Sequence, residues 1–193
     1  AIVFPEKFLE GRPSGVQRVL FHELFHVLSR ANEELRDRCY AAIGFEKCEE
    51  LVFPEELALR KLTNPDAPRN EHCLKVKVAG KEQWVIPILF SKEEKYDPES
   101  GGEFFRYLQF KLVVVKRGAD GKSVKVILEG ATPKLLDVGE VRGFFKQVGK
   151  NTSYLIHPEE ILADNFVLLV TKKRGLPSPK VVENLGEILA GKK

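Results

Sequence analysis

His22, Glu23 and His26 stand in the string Phe21-His22-Glu23-Leu24-Phe25-His26. Histidines four apart on a helix project from one face about one turn apart, close enough for two imidazoles to bind a single metal ion. Glu23, beside the first histidine, can reach a water on the same ion. A catalytic zinc centre takes three protein ligands and keeps a position for water, whereas a structural one is closed by four. The third ligand must therefore come from elsewhere. The candidates are His72, His157 and a carboxylate on another helix. The string Pro158-Glu159-Glu160-Ile161-Leu162-Ala163-Asp164 answers best. Glu160 and Asp164 are four apart on one helical face. Glu160 can bind the metal, and Asp164 can accept a hydrogen bond from the other ring N–H of a ligating histidine, fixing its tautomer and raising its basicity. Glu159 is the rival, about 100° around the helix; the spacing to Asp164 favours Glu160. Ala163 is small enough to let this helix pack closely on the first.

These residues need elements to hold them. A capping box, Ser14 with Gln17, is expected to open the first helix. Val16, Leu20, Leu24, Val27 and Leu28 form its apolar stripe, and Val19, Phe21 and Phe25 widen it, which predicts a helix buried on most sides. Two histidines and a glutamate in such a helix cost a few kcal/mol each unless a metal or hydrogen-bond partners compensate them. Residues 1–4 read as one strand. Asn32 is expected to cap a second helix that Gly44 stops, and Pro54 to open a third. Residues 64–68 form a rigid, proline-bearing loop. Alternation and turn signals then place strands at 74–78, 84–90, 104–116 and 123–128, with a polar loop at 92–102, a hairpin turn at 118–121, and Pro87 marking an edge or bulge. Together they predict a four-stranded antiparallel sheet. A weak helix at 138–148, a loop at 151–156, a strong helix from Pro158 to about 172 and a final helix after Ser178-Pro179 complete the chain.

The chain has 193 residues, 43% hydrophobic and 31% charged, with a net charge of +3, a soluble globular balance that fits a single domain over 1–193. No basic stripe with interleaved aromatics points to nucleic acid, and no apolar run has the length of a membrane span. Cys39, Cys48 and Cys73, an odd number with no CxxC pair, read as reduced, partly buried thiols in a cytoplasmic protein. His72, between charged residues, is expected in an exposed loop. The chain starts at Ala1 and holds no methionine, so it is expected to be processed or a piece of a longer one.

His22-Glu23-Leu24-Phe25-His26 followed at a distance by Glu160-Ile161-Leu162-Ala163-Asp164 resembles the gluzincin metallopeptidases, the thermolysin-like branch of the zincins. The resemblance implies an α+β, zincin-like fold in which the His-Glu-x-x-His helix packs on a second, ligand-bearing helix. It implies zinc ligands His22, His26 and Glu160, Glu23 as general base, and Asp164 supporting a ligand histidine. It further implies hydrolysis of a peptide or protein substrate, with zinc lowering the pKa of its water to about 7 and Glu23 passing the proton to the leaving amine. Tyr154 and His157, just before the ligand helix, are candidate donors to the oxyanion. The sheet at roughly 73–130 would fill the long interval between the two helices. Zincins usually place a sheet before the His-Glu-x-x-His helix; here at most one strand precedes it. The alternative is a non-catalytic binding or regulatory module that keeps the zincin-like fold, its zinc structural or absent.

Overall fold

The computed structural model describes residues 2–95, 97, 99 and 103–191. The chain is α+β and divides into two compact units. One is helical and discontinuous, built from Ala1–Gly44 and Phe145–Lys193; the other, Phe45–Phe144, carries the strands.

In the helical unit, α1 (Glu6–Leu9), α2 (Pro13–Ala31) and α3 (Glu33–Ala42) precede the strands, and α6 (Pro158–Val170) and α7 (Pro179–Leu189) follow them. Residues 2–5 form no strand, contrary to the expectation for 1–4, and Ala1 lies outside the described residues. The expected capping box at Ser14 and Gln17 is also absent. The N-cap is Arg12, whose side chain makes no capping bond; Pro13 takes the first turn, where its fixed φ suits a helix start. Asn32 does cap α3, its side chain accepting from the Leu35 N–H at 3.0 Å, and Gly44 stops the helix with φ +85°.

The apolar stripe of α2 lies opposite to where its pattern places the core. Leu20, Leu24 and Val27 are exposed, and only Phe25, His26 and Ser29 are buried. The inward face is the one that carries the histidines, because α2 packs on α6 through it. α6 is the central helix: Glu159, Glu160, Ile161, Leu162, Ala163, Asn165 and Val167 are all buried. Ala163 is wholly buried, as close packing requires, and Phe25 of α2 meets Phe166 with ring centroids 5.7 Å apart. On another side α7 approaches through Gly186, where a Cβ would come within 3.2 Å of Leu169.

The loop between Gly149 and α6 is fastened at its base. Asn151 Nδ2 donates to Asn165 Oδ1 and to the Ser178 carbonyl, both at 2.8 Å, and its Oδ1 accepts from the Ser178 N–H at 2.9 Å. Gly149 itself adopts φ +78°, and a Cβ there would lie 2.8 Å from Val181 Cγ2. The two ends of the helical unit's chain also meet: a Cβ on Gly44 would lie 2.3 Å from Gln147 Oε1.

In the second unit, β1 (Phe45–Lys47) precedes α4 (Glu55–Arg60), and β2 (His72–Val78), β3 (Lys81–Ser91), β4 (Leu108–Arg117), β5 (Val124–Val126), β6 (Leu128–Glu129), β7 (Thr132–Pro133) and β8 (Leu135–Leu136) follow. The sheet is antiparallel but has six strands where four were expected. Its order is β1-β2-β3-β4-β5, with β8 also on β4; β6 and β7 pair separately. The two additions, β1 and β8, are too short to show a period of two. Pro87 sits in β3 opposite Leu112 of β4, beyond the last β2 pair at Leu74 and Val85, so it is internal to the sheet yet free of the β2 ladder. The expected strand at 104–116 starts late, since Phe104–Tyr107 is a 3-10 turn. The polar stretch 92–102 bends at 92–95; residues 96, 98 and 100–102 lie outside the described residues. Ile86, Ile88, Phe90, Val113 and Val115 of β3 and β4 pack with Cys48, Leu51, Leu57 and Cys73 into a core. His72 opens β2 and is buried, not exposed in a loop; pairing with Lys47 of β1 brings it into the sheet. α5 (Phe144–Val148) leads back to the helical unit, and only its span and a 3-10 turn at Val138–Glu140 are helical in the weak helix expected at 138–148.

Gly149→Ala is expected to destabilise the helical unit by about 1–3 kcal/mol or more, from the left-handed backbone alone before the clash with Val181 is relieved. Thermal unfolding followed by circular dichroism would show it, and a melt unchanged from wild type would refute it.

Candidate metal centre

Helical spacing sets the first half of the site. On α2, Gly15, Arg18, His22 and His26 follow one another at three- and four-residue steps along one face, with Val19 and Glu23 four apart beside them. The His22 and His26 rings lie edge to face, centroids 4.8 Å apart, and Glu23 offers a carboxylate oxygen within 4.8 Å of a nitrogen of each. The second half is the first two turns of α6. Its helix is opened by His157, whose Nδ1 accepts from the Glu159 N–H at 3.1 Å, and by Pro158 in the first turn. The positive end of the helix dipole favours Glu159 and Glu160 there.

The two halves pair in order. His22 Nδ1 faces Asp164 Oδ1 at 3.3 Å and His22 Nε2 faces Glu160 Oε2 at 3.0 Å. His26 Nδ1 lies 2.8 Å from Glu159 Oε1, and His26 Nε2 lies 3.7 Å from Glu160 Oε1. Glu160 therefore sits between the two Nε2 atoms, and each Nδ1 rests on an acid of its own. Asp164 is the acid that faces His22. Glu159, read from sequence only as a rival to Glu160, supports His26. Ser29 Oγ–H and Tyr40 O–H also donate to Glu159, one to each oxygen. Nothing in the local pattern could have signalled those donors, because Tyr40 lies on α3 and Ser29 one turn beyond His26. The acid next to Glu160 on α6 was the only available hint.

Protonation follows from these contacts. Burial would raise the Glu159 carboxyl, but the bonds from His26, Ser29 and Tyr40 outweigh it and hold the pKa below the ordinary value. Glu159 is thus ionised and His26 Nδ1 carries the proton it accepts. Burial also pushes the Tyr40 phenol up, as does the Glu159 charge, so that hydroxyl remains a donor. His26 Nε2, 2% exposed as a side chain, has no hydrogen-bond partner among the described residues. A buried polar atom left so costs about 1–3 kcal/mol. For His22, burial works against the charged form, yet hydrogen bonds to Asp164 and Glu160, and their charges, push its pKa up to about 9. Burial would raise Asp164 too, but the bonds with His22 and Thr152 keep it below the usual carboxylate range.

Beside the histidines opens a cleft of about 680 Å³, bordered by Phe8, Arg18, His22, Glu23, Tyr154 and Asp164 among others. Tyr154 is in its wall and 42% exposed. His157 is not among the lining residues; it is buried as the cap of α6, its ring edge-on to Tyr40 with centroids 5.9 Å apart. His72 lies in the strand-bearing unit.

Nitrogen and oxygen donors of this kind suit zinc. The donors suit such an ion: ligand atoms of His22, Glu23 and His26 lie within 4.8 Å of one another, Glu160 presents one oxygen to each Nε2, at 3.0 and 3.7 Å, His26 Nε2 is buried with no hydrogen bond among the described residues, and both Nδ1 atoms face acids. No family model, curated protein or solved structure gives a significant match to the chain, so the functional reading rests on this geometry.

In the metal-free protein the raised pKa of His22 stabilises the fold through its protonated form. That contribution is complete below about 6.5, its ordinary pKa, and disappears as pH rises through about 9. Urea unfolding of chelator-treated protein is expected to show stability falling between pH 7 and 9.5 by an increment missing from His22→Gln. Equal pH dependence in the two proteins would refute it.

Proposed function

We propose that the helical unit is a zinc-dependent hydrolase centre acting on peptide bonds, of the zincin type that the sequence resembles. The observation that carries this is the close grouping of His22, Glu23 and His26 on one helix, with a Glu160 oxygen facing each histidine Nε2 and with His22 and Glu23 lining a cleft. His22, His26 and Glu160 would hold the ion. When bound, zinc supplies Lewis acidity and makes water a competent nucleophile near neutral pH.

The remaining chemistry belongs to the chain. Glu23, at the cleft, takes the proton of the attacking water and returns it to the departing amine. Asp164 and Glu159 hold the two imidazoles in the tautomer that turns Nε2 toward Glu160, and strengthen them as donors. Ser29 and Tyr40 keep Glu159 ionised in a buried position. Tyr154 stands in the cleft wall, where its hydroxyl can donate to a developing oxyanion. The cap position of His157 favours a structural part for it. The substrate is a peptide or protein segment able to enter the cleft. Three free, buried thiols suit a reducing, cytoplasmic setting. Among the described residues no helix is long and apolar enough to cross a membrane.

Protein purified without added metal is expected to contain about one zinc per chain. His26→Ala should lose it. Glu23→Gln should keep it while hydrolysis of a peptide library falls roughly 100-fold or more, the size of a general base's contribution. Elemental analysis and peptide cleavage by mass spectrometry read the two arms. Wild type free of zinc would refute the metal centre, and tightly bound zinc without cleavage would favour a non-catalytic module.

A further inference from the structure

We infer that Thr152 is a positioning residue for His22, holding Asp164 against the imidazole and fastening the Tyr154 stretch of the cleft wall to the same aspartate. This rests on the metal-centre reading above. Asp164 has three partners, and they differ in stiffness. Its Oδ1 faces His22 Nδ1 at 3.3 Å and the Arg18 guanidinium at 3.5 Å. The Arg18 side chain is 68% exposed, and an exposed ion pair of that length holds little. The His22 contact is long for a hydrogen bond. Neither fixes the plane of the carboxylate.

Thr152 can. Its Oγ1–H donates to Asp164 Oδ2, and the same Oγ1 accepts the Tyr154 N–H at 3.0 Å. The hydroxyl is spent in both directions and cannot turn away without breaking a bond. The backbone that carries it is fixed too, by Asn151 through three hydrogen bonds to Asn165 and Ser178. A short, branched side chain on an anchored loop is thus the firmest contact Asp164 has. With Oδ2 held, Oδ1 stays turned toward Nδ1 of His22, and Nε2 of that ring stays turned toward Glu160. A continuous path runs from the Tyr154 amide through Thr152 and Asp164 to His22. Whatever tightens one end of such a path tightens the other, since coupling between two binding events is reciprocal.

Thr152→Val keeps the shape and removes the hydroxyl; Thr152→Ser keeps the hydroxyl. Asn151→Ala loosens the same loop without touching Asp164, and so reports a merely structural effect. Zinc affinity of the full chain, measured by competition with a chromophoric chelator, is expected to fall roughly 10- to 100-fold in Thr152→Val, the range for losing a group that orients a ligand. Thr152→Ser should stay within about threefold of wild type and Asn151→Ala should lose less than Thr152→Val. Hydrogen exchange adds a readout that needs no catalysis: zinc should slow exchange of the Tyr154 amide in wild type and leave it unchanged in Thr152→Val. Wild-type affinity in Thr152→Val, failure of Thr152→Ser to restore it, or an equal loss in Asn151→Ala would each overturn the inference while the metal centre stands. Wild type that takes up no zinc would overturn the metal reading and this inference together.

Discussion

Three carboxylates in the first two turns of one buried helix set the terms for the helical unit. Glu159, Glu160 and Asp164 of α6 lie within six residues, and two of them are almost fully buried. Removing ionised groups from water costs several kcal/mol each unless charge or hydrogen bonds replace the lost hydration. The helix dipole supplies part of that. The rest comes from His22 and His26 on α2, Ser29 one turn on, Tyr40 on α3 and Thr152 in the loop. The contacts that satisfy α6 are the same ones that orient the imidazoles. Stability and the orientation of the imidazoles are therefore not separable at this interface. The outward position of Leu20, Leu24 and Val27 follows from it: α2 turns its polar face inward because the acids of α6 require it.

Much of this was legible in the sequence where a short-range rule governs it. Asn32 caps α3 because its side chain reaches the Leu35 N–H three residues on. The spacing of His22 with His26, and of Glu160 with Asp164, survives in three dimensions because a helix converts a step of four into a shared face. Which helix is central was not legible. α2 shows the apolar pattern of a buried helix, and only the tertiary pairing with α6 reveals that its stripe faces away. The role of Glu159 depends on donors from two other places, and no local pattern carries that. β1 and β8 gain their identity from the long strands β2 and β4 that they join, as does His72, whose burial follows from its pairing. Pro87 announced an interruption of a ladder, and the interruption is there on the β2 side while β4 still pairs.

The two helices that carry the paired motifs, α2 and α6, lie within one unit. No strand precedes α2 among the described residues, and the strands belong to a separate unit formed by the chain between α2 and α6. The wall of the cleft next to His22 and Glu23 is a loop, residues 151–154, rather than a strand. Asn151, Thr152 and Gly149 fasten that loop in different ways: a clamp to Asn165 and Ser178, a tether to Asp164 and a left-handed backbone conformation that few residues can copy.

The meeting of Gly44 with Gln147 bears on how the chain assembles. His22 and Glu160 are 138 residues apart, and joining them through an open chain would carry the loop-closure entropy of the whole interval. If residues 45–144 fold on their own, the open part of that interval is reduced to residues 23–44 and 145–159. From 138 residues to about 38 is roughly two halvings, each worth about 0.6 kcal/mol, so about 1 kcal/mol of closure entropy disappears.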